Sequence, residues 1–308
     1  MTNTNKKSKN TRKLLGAVGM LTVSAAMLVS STFAWFSLNR TVRAQTMTVQ
    51  AKSADPFLKI SANGNDFYTA LDATADASTD TGAWAIQTQA VINSRTAADA
   101  KLKLIAPKTI GATPTWVWNQ SSDPASPNTQ NVANGTGNQD VALTIDTTNN
   151  QNADRSAIMT GTVGAEALED AFVLKQTLTF KNIAKDSAGT NLKIDSVTIT
   201  RDTATADPAS TFDQAVRVLI VNSEGKYALY NGAGTNIEAE NGATGTRMTG
   251  TGNNIIAASL AANGTTSIDI YMYFDGNASQ AYTNNAFDLT GVHAAFQFSI
   301  DSETATTP

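Results

Sequence analysis

The side chains able to do chemistry are few and thinly spread. The chain has no Cys, which removes a thiolate nucleophile, a disulfide framework and any Cys-based zinc or iron–sulfur site. Its one His, His293, excludes a multi-histidine metal site, and no His-Glu-x-x-His zinc motif occurs. His293 falls in an alternating run, where it reads as a surface imidazole without a partner. The stretch DTTNNQNAD, residues 146–154, is loosely like a calcium loop, yet it lacks the Asp/Asn spacing, central Gly and terminal Glu of an EF-hand and reads as a plain turn. Glu166, Glu169 and Asp170 could pair as acid and base, but helical spacing on a solvated turn accounts for them. Trp116 and Trp118 flank Val117 at strand spacing, so both indoles share a face, as a sugar-stacking platform or as a core or interface patch. No phosphate loop, dinucleotide fingerprint or Gly-x-Ser-x-Gly elbow is present. Five Asn-x-Ser/Thr sequons (Asn39, Asn119, Asn134, Asn263 and Asn277) arise by chance in a chain so rich in Asn and Thr. The expectation is a protein without catalysis, cofactor or metal.

Composition points the same way. Of 308 residues only 16% are charged, against about a quarter in ordinary globular chains. The net charge of −4 is wrong for a nucleic-acid partner, which needs clustered Lys and Arg. That charge hides an asymmetry. Residues 1–34 hold five cations (Lys6, Lys7, Lys9, Arg12 and Lys13) and no acid, so the remainder stands at −9. The cations precede the uncharged stretch LLGAVGMLTVSAAMLVSSTFA, residues 14–34. A basic segment, an apolar segment and a small-residue end, with Thr32 and Ala34 where an export peptidase reads, make residues 1–34 a signal peptide. The rival is a retained membrane anchor, since 21 uncharged residues just span a bilayer. Either way the bulk of the chain is expected outside the cytoplasm, at the cell surface or in a matrix.

Beyond residue 34 the dominant apolar period is two. In residues 292–300, Val292, Ala294, Phe296, Phe298 and Ile300 alternate with His293, Ala295, Gln297 and Ser299. Residues 267–274 alternate likewise, and the unbroken run AVRVLIV, residues 215–221, reads as a strand buried on both faces, with a turn at Asn222–Gly225 leading into residues 226–230. Residues 172–180 and 192–200 are expected to pair with each other. Further strands are expected at 47–52, 57–61 and 102–105, and short helices at 164–171 and 255–262. Residues 119–140 and 231–254 are polar and turn-rich, and read as surface insertions. The fold class expected is all-β: one β-sandwich of roughly eight to ten strands with long polar loop insertions.

The segment after the signal is WFSLNRTVRAQTMTVQA, residues 35–51. Phe36, Leu38, Val42 and Ala44 share one face of an extended chain, whereas Met47, Val49 and Ala51 take the other phase. A one-residue change of phase swaps the face presented. Two accounts stay open: a β-bulge or a strand crossing between sheets, or a split in which residues 47–51 pair within their own subunit while 35–44 reach into a neighbour. An N-terminus opening on Trp35 and Phe36 is costly to leave in water, at about 1.5–3 kcal/mol for each large side chain.

Thr32-Phe33-Ala34-Trp35-Phe36-Ser37, followed by a polar stretch and Met47-Thr48-Val49, resembles the N-terminus of the TasA/camelysin family of secreted, fibre-forming matrix proteins. The resemblance implies a jelly-roll fold, trimming by a signal peptidase of the SipW type, and polymerisation by insertion of the mature N-terminal strand into the next subunit. It assigns residues 1–34 to the signal, 35–45 to a donor segment with Trp35, Phe36, Leu38, Val42 and Ala44 as its assembly residues, and 46–308 to the sandwich. The partners it implies are further copies of the chain in a head-to-tail polymer, together with a minor nucleating subunit. Two other functions stay open: a surface adhesin or membrane-anchored β-domain binding glycan or protein, and a secreted hydrolase.

Overall fold

Alternating strands must cover one apolar face each, and an unbroken apolar strand must cover two. Both demands are met in the computed structural model, which describes residues 41–53, 57–72, 81–83, 88–93, 103–120, 140–145, 156–163, 166–201, 212–240, 242–275, 278 and 292–302. The chain divides into two compact units, Met1–Thr41 and Val42–Pro308. Only Thr41 of the first is described, so the architecture is that of the second.

In chain order the strands are β1 (Thr41–Ser53), β2 (Leu58–Ser61), β3 (Ala70–Asp72), β4 (Thr81–Ala83), β5 (Thr88–Asn93), β6 (Lys103–Ile110), β7 (Thr115–Gln120), β8 (Asp140–Ile145) and β9 (Ser156–Val163). They continue as β10 (Glu166–Asn182), β11 (Gly189–Arg201), β12 (Val216–Asn222), β13 (Lys226–Asn231), β14 (Asn236–Ile237), β15 (Thr244–Arg247), β16 (Ile255–Leu260), β17 (Thr265–Phe274) and β18 (Val292–Ser302). A 7-stranded sheet runs β16-β11-β18-β1-β3-β4, with β5 also on β1. An 11-stranded sheet runs β12-β17-β10-β9-β8-β7-β6-β15-β13-β14, with β2 on β10. Because β12 also pairs with β13, the second sheet curls round until its path closes. The fold is all-β and sandwich-like, with more strands than the eight to ten read from the sequence.

The layer formed by β10, β12, β13 and β17 is apolar on both sides. Leu174, Leu178, Phe180, Val218, Ile220, Ile270 and Met272 face one core, shared with Ile194, Phe296, Phe298 and Ile300 of the other sheet. Phe180 and Phe298 meet edge to face across that seam, with centroids 4.8 Å apart. Val173, Leu219, Val221, Tyr227, Leu229, Tyr271 and Tyr273 face the second core, enclosed by the curl with Ile105, Ile110, Trp116 and Val141. Every residue of β12 is therefore buried, as the run AVRVLIV required.

Two expected helices are strands. Residues 164–171 fall in the β9–β10 region, and β10 begins at Glu166; its register against β9 slips between Leu168 and Phe172. Residues 255–262 hold β16, where buried Ile256 and Leu260 are four apart, a spacing that shares one face of a strand as readily as one face of a helix. The expected pairing of 172–180 with 192–200 also fails. Strand β10 pairs with β17, β9 and β2, while β11 pairs with β16 and β18, so the two face each other from different sheets.

Asn182 makes that crossing possible. Buried at the end of β10, it donates through Nδ2 to the carbonyls of Ser187 (3.0 Å) and Leu260 (3.1 Å) and accepts from Ala184 N (2.9 Å). Asn222 acts likewise at the β12–β13 turn: Nδ2 donates to Ile256 O (2.8 Å), and Oδ1 accepts from Glu224 N and Lys226 N. Each asparagine closes a turn and grips β16 at once.

The polar stretch 231–254 is not a loose insertion. It carries β14 and β15, and β15 lies parallel to β13 on one side and to β6 on the other, completing the curl. The approach is so close that a Cβ on Gly245 would lie 2.9 Å from Ile110 Cβ and 3.0 Å from Tyr227 Cε1. Gly245→Val is expected to destabilise the fold by about 1–3 kcal/mol through this overpacking. Gly111→Ala, where an added Cβ meets nothing within 4 Å, serves as the control. Urea midpoints followed by tryptophan fluorescence check the pair, and equal midpoints would contradict the closure.

Candidate functional site

The assembly residues named from the sequence lie at the very start of the described chain. Trp35, Phe36 and Leu38 are outside the described residues, while Val42 and Ala44 are on β1. One 13-residue strand runs through the change of apolar phase. Residues 48–53 of β1 lie parallel to β18, with Thr48 opposite His293, Ala51 opposite Phe296 and Ser53 opposite Phe298. On the other side Ala51 and Lys52 pair antiparallel with Leu71 and Ala70 of β3. Ala51, 1% exposed, sits within the core between the sheets. A parallel pair cannot be joined by a tight turn; here the partners come from opposite ends of the described chain.

The other candidate groups are dispersed. His293 is half-buried between Thr48 of β1 and Thr200 of β11, and it is engaged rather than a free surface imidazole. Glu166, Glu169 and Asp170 are on strand β10, not on a solvated helical turn. Trp116 is 3% exposed, packed against Tyr273 (5.1 Å between centroids) and Tyr271 (5.9 Å), so it is a core residue. Residues 146–154 lie outside the described residues. Among the described residues no three His, Asp or Glu side chains gather to hold a metal ion, and no helix is long and apolar enough to cross a membrane.

Two charged clusters escaped the sequence reading. Arg217, near the start of buried β12, places Nε 2.8 Å from Glu240 Oε2 and 3.9 Å from Asp275 Oδ2, and Nη1 donates to the carbonyls of Gln214 and Val216. Burial opposes its charge, but the Asp275 and Glu240 carboxylates prevail and hold its pKa above the ordinary value. An arginine inside AVRVLIV was the available signal, since a buried guanidinium requires acidic partners. The second cluster centres on Asp269, which accepts from Thr177 Oγ1 and from Tyr271 OH at 3.4 Å and pairs with Lys175 Nζ at 3.0 Å. Lys175 also lies 5.6 Å from the centre of the Tyr271 ring. With three partners on one carboxylate, the group fastens β10 to β17.

No protein-family model, curated protein or solved structure matches this chain.

Burial, reinforced by the Asp269 carboxylate, raises the Tyr271 pKa. Burial likewise lifts Tyr273 and, against the opposing pull of Asn236 and Arg247, Tyr230. The unfolded chain releases these protons near pH 10 while the fold still holds them, so their contribution is intact below pH 10 and lost as pH rises further. Urea midpoints are therefore expected to fall above pH 10, and Tyr271→Phe should flatten that decline. A slope unchanged in the variant would remove Tyr271 from the account.

Proposed function

We propose that this chain is an exported structural subunit that polymerises into extracellular surface or matrix fibres, with residues 35–45 as the segment passed to a neighbouring copy. The observation that carries this reading is the place of β1: it follows directly in sequence on the apolar residues Trp35, Phe36 and Leu38, and it lies beside β18, the last described strand of an all-β body. An extended segment adds to another sheet through main-chain hydrogen bonds, while alternate side chains set its register. Phe36, Leu38, Val42 and Ala44 supply those side chains, and Trp35 supplies the tip. A contact between two different surfaces of the same chain does not close on itself, so it propagates into a filament.

The related proposals follow the same line. A signal peptidase removes residues 1–34 during export, a minor subunit nucleates the polymer, and the body is a jelly roll of the TasA/camelysin kind. The mechanism is assembly, without a catalytic step. The rival glycan-binding reading is weakened by the burial of Trp116, half of the aromatic pair on which it rested.

Two measurements test the proposal. The native N-terminus, read by mass spectrometry, is expected at Trp35. A chain lacking residues 35–44 is expected to remain folded and monomeric under conditions where the full mature chain forms fibres visible by negative-stain electron microscopy. Fibres of normal length from the deletion, or a native chain beginning at Met1 or Thr2, would overturn it.

A further inference from the structure

The loop between β2 and β3 gathers an unusual set of partners on one side-chain amide. Asn63 Oδ1 accepts three hydrogen bonds: from Ser61 Oγ (3.0 Å), from Asn65 N (2.9 Å) and from Asp66 N (2.9 Å). Its Nδ2 donates to Asp66 Oδ2 at 2.8 Å. The next amide, Gly64 N, donates to the same Ser61 Oγ at 2.7 Å. Gly64 has φ of +79° and no Cβ to obstruct approach to its nitrogen. Ser61 is fully buried, while Asn63 and Asp66 are exposed to water. Backbone pairing of Ile60 with Tyr68 (2.7 and 2.8 Å) clamps the base of the loop.

We propose that Asn63–Gly64 is a self-modifying site, at which the protein converts Asn63 to aspartate and isoaspartate using only water. The three donors draw charge onto Oδ1 and leave Cγ electrophilic, as donors around a developing oxyanion do in acyl transfer. The Ser61 hydroxyl bridges nucleophile and electrophile: it takes the Gly64 N–H proton as it gives its own to Oδ1. The Gly64 nitrogen then bonds to Cγ and closes a five-membered ring. Collapse of this intermediate restores the Cγ carbonyl, returns the hydroxyl proton to Asp66 or solvent, and breaks the Cγ–Nδ2 bond. Nδ2 takes up that proton, relayed by Asp66 or solvent, and leaves as ammonia. A water molecule opens the resulting imide at either carbonyl, giving aspartate or isoaspartate, so the balance is one water consumed and one ammonia released. The carboxylate formed replaces the donor that faced Asp66 with an acceptor, setting two like charges together where a hydrogen bond had been.

The same chain supplies its own control. Asn263–Gly264 is the same dipeptide in an exposed turn, but Gly264 N donates to the carbonyl of Ala261 at 2.8 Å, which has no proton to relay. Peptide mapping of the full native chain after prolonged incubation at neutral pH should show isoaspartate forming about a hundredfold faster at Asn63 than at Asn263, the lower end of what positioned proton transfer supplies. Denaturant should bring the two sites to the same rate, and Ser61→Ala in the folded chain should lower Asn63 alone. Equal native rates at the two sites would overturn the proposal, as would a rate advantage that persists in denaturant. Should Ser61→Ala disturb the fold, the native-against-denatured comparison on the unaltered chain decides.

Discussion

The constraint on which the fold depends is the burial of both faces of one strand layer. Strands β10, β12, β13 and β17 cannot be covered by a single partner sheet, because Val218, Ile220 and Met272 point one way while Leu219, Val221 and Tyr273 point the other. The chain meets this demand twice over. The 7-stranded sheet covers one face, and the larger sheet bends its own later strands round to cover the other. Curling removes most of the open edge that a sheet of this size would present, and it depends on short elements such as β15 that carry little apolar surface.

Polar groups fix how the layers meet. The apolar cores are non-directional, so many sheet orientations would bury comparable area. Asn182 and Asn222 choose among them, since a buried amide must find its partners and each finds them partly in its own turn and partly in the carbonyls of β16. Arg217 adds a third fixed point, drawing Glu240 and Asp275 to β12. These side chains specify arrangement, whereas the bulk of the driving force comes from Phe180, Phe298, Tyr273 and their neighbours.

Against this frame β1 stands apart. Its pairing with β18 joins the beginning and the end of the described chain, and its Ala51 is buried in the core between the sheets.

About half of the strand inventory was legible in the sequence, where alternation, a local property, is clear: residues 267–274 and 292–300 are strands for the reason their pattern gives, and Asn222–Gly225 turns because asparagine and glycine accept that geometry. Partnership was not. Which strand lies beside β10 or β11, and that residues 255–260 extend rather than coil, depends on contacts between segments far apart in sequence. The polar stretch 231–254 looked dispensable, since closing a sheet needs backbone groups and a bare glycine rather than apolar side chains. The amide chemistry around Asn63 was equally hidden: the letters Ser-Ala-Asn-Gly are visible in the chain, but only folding brings one hydroxyl to both ends of the reaction. Local pattern determines what each segment is; long-range packing decides what it touches.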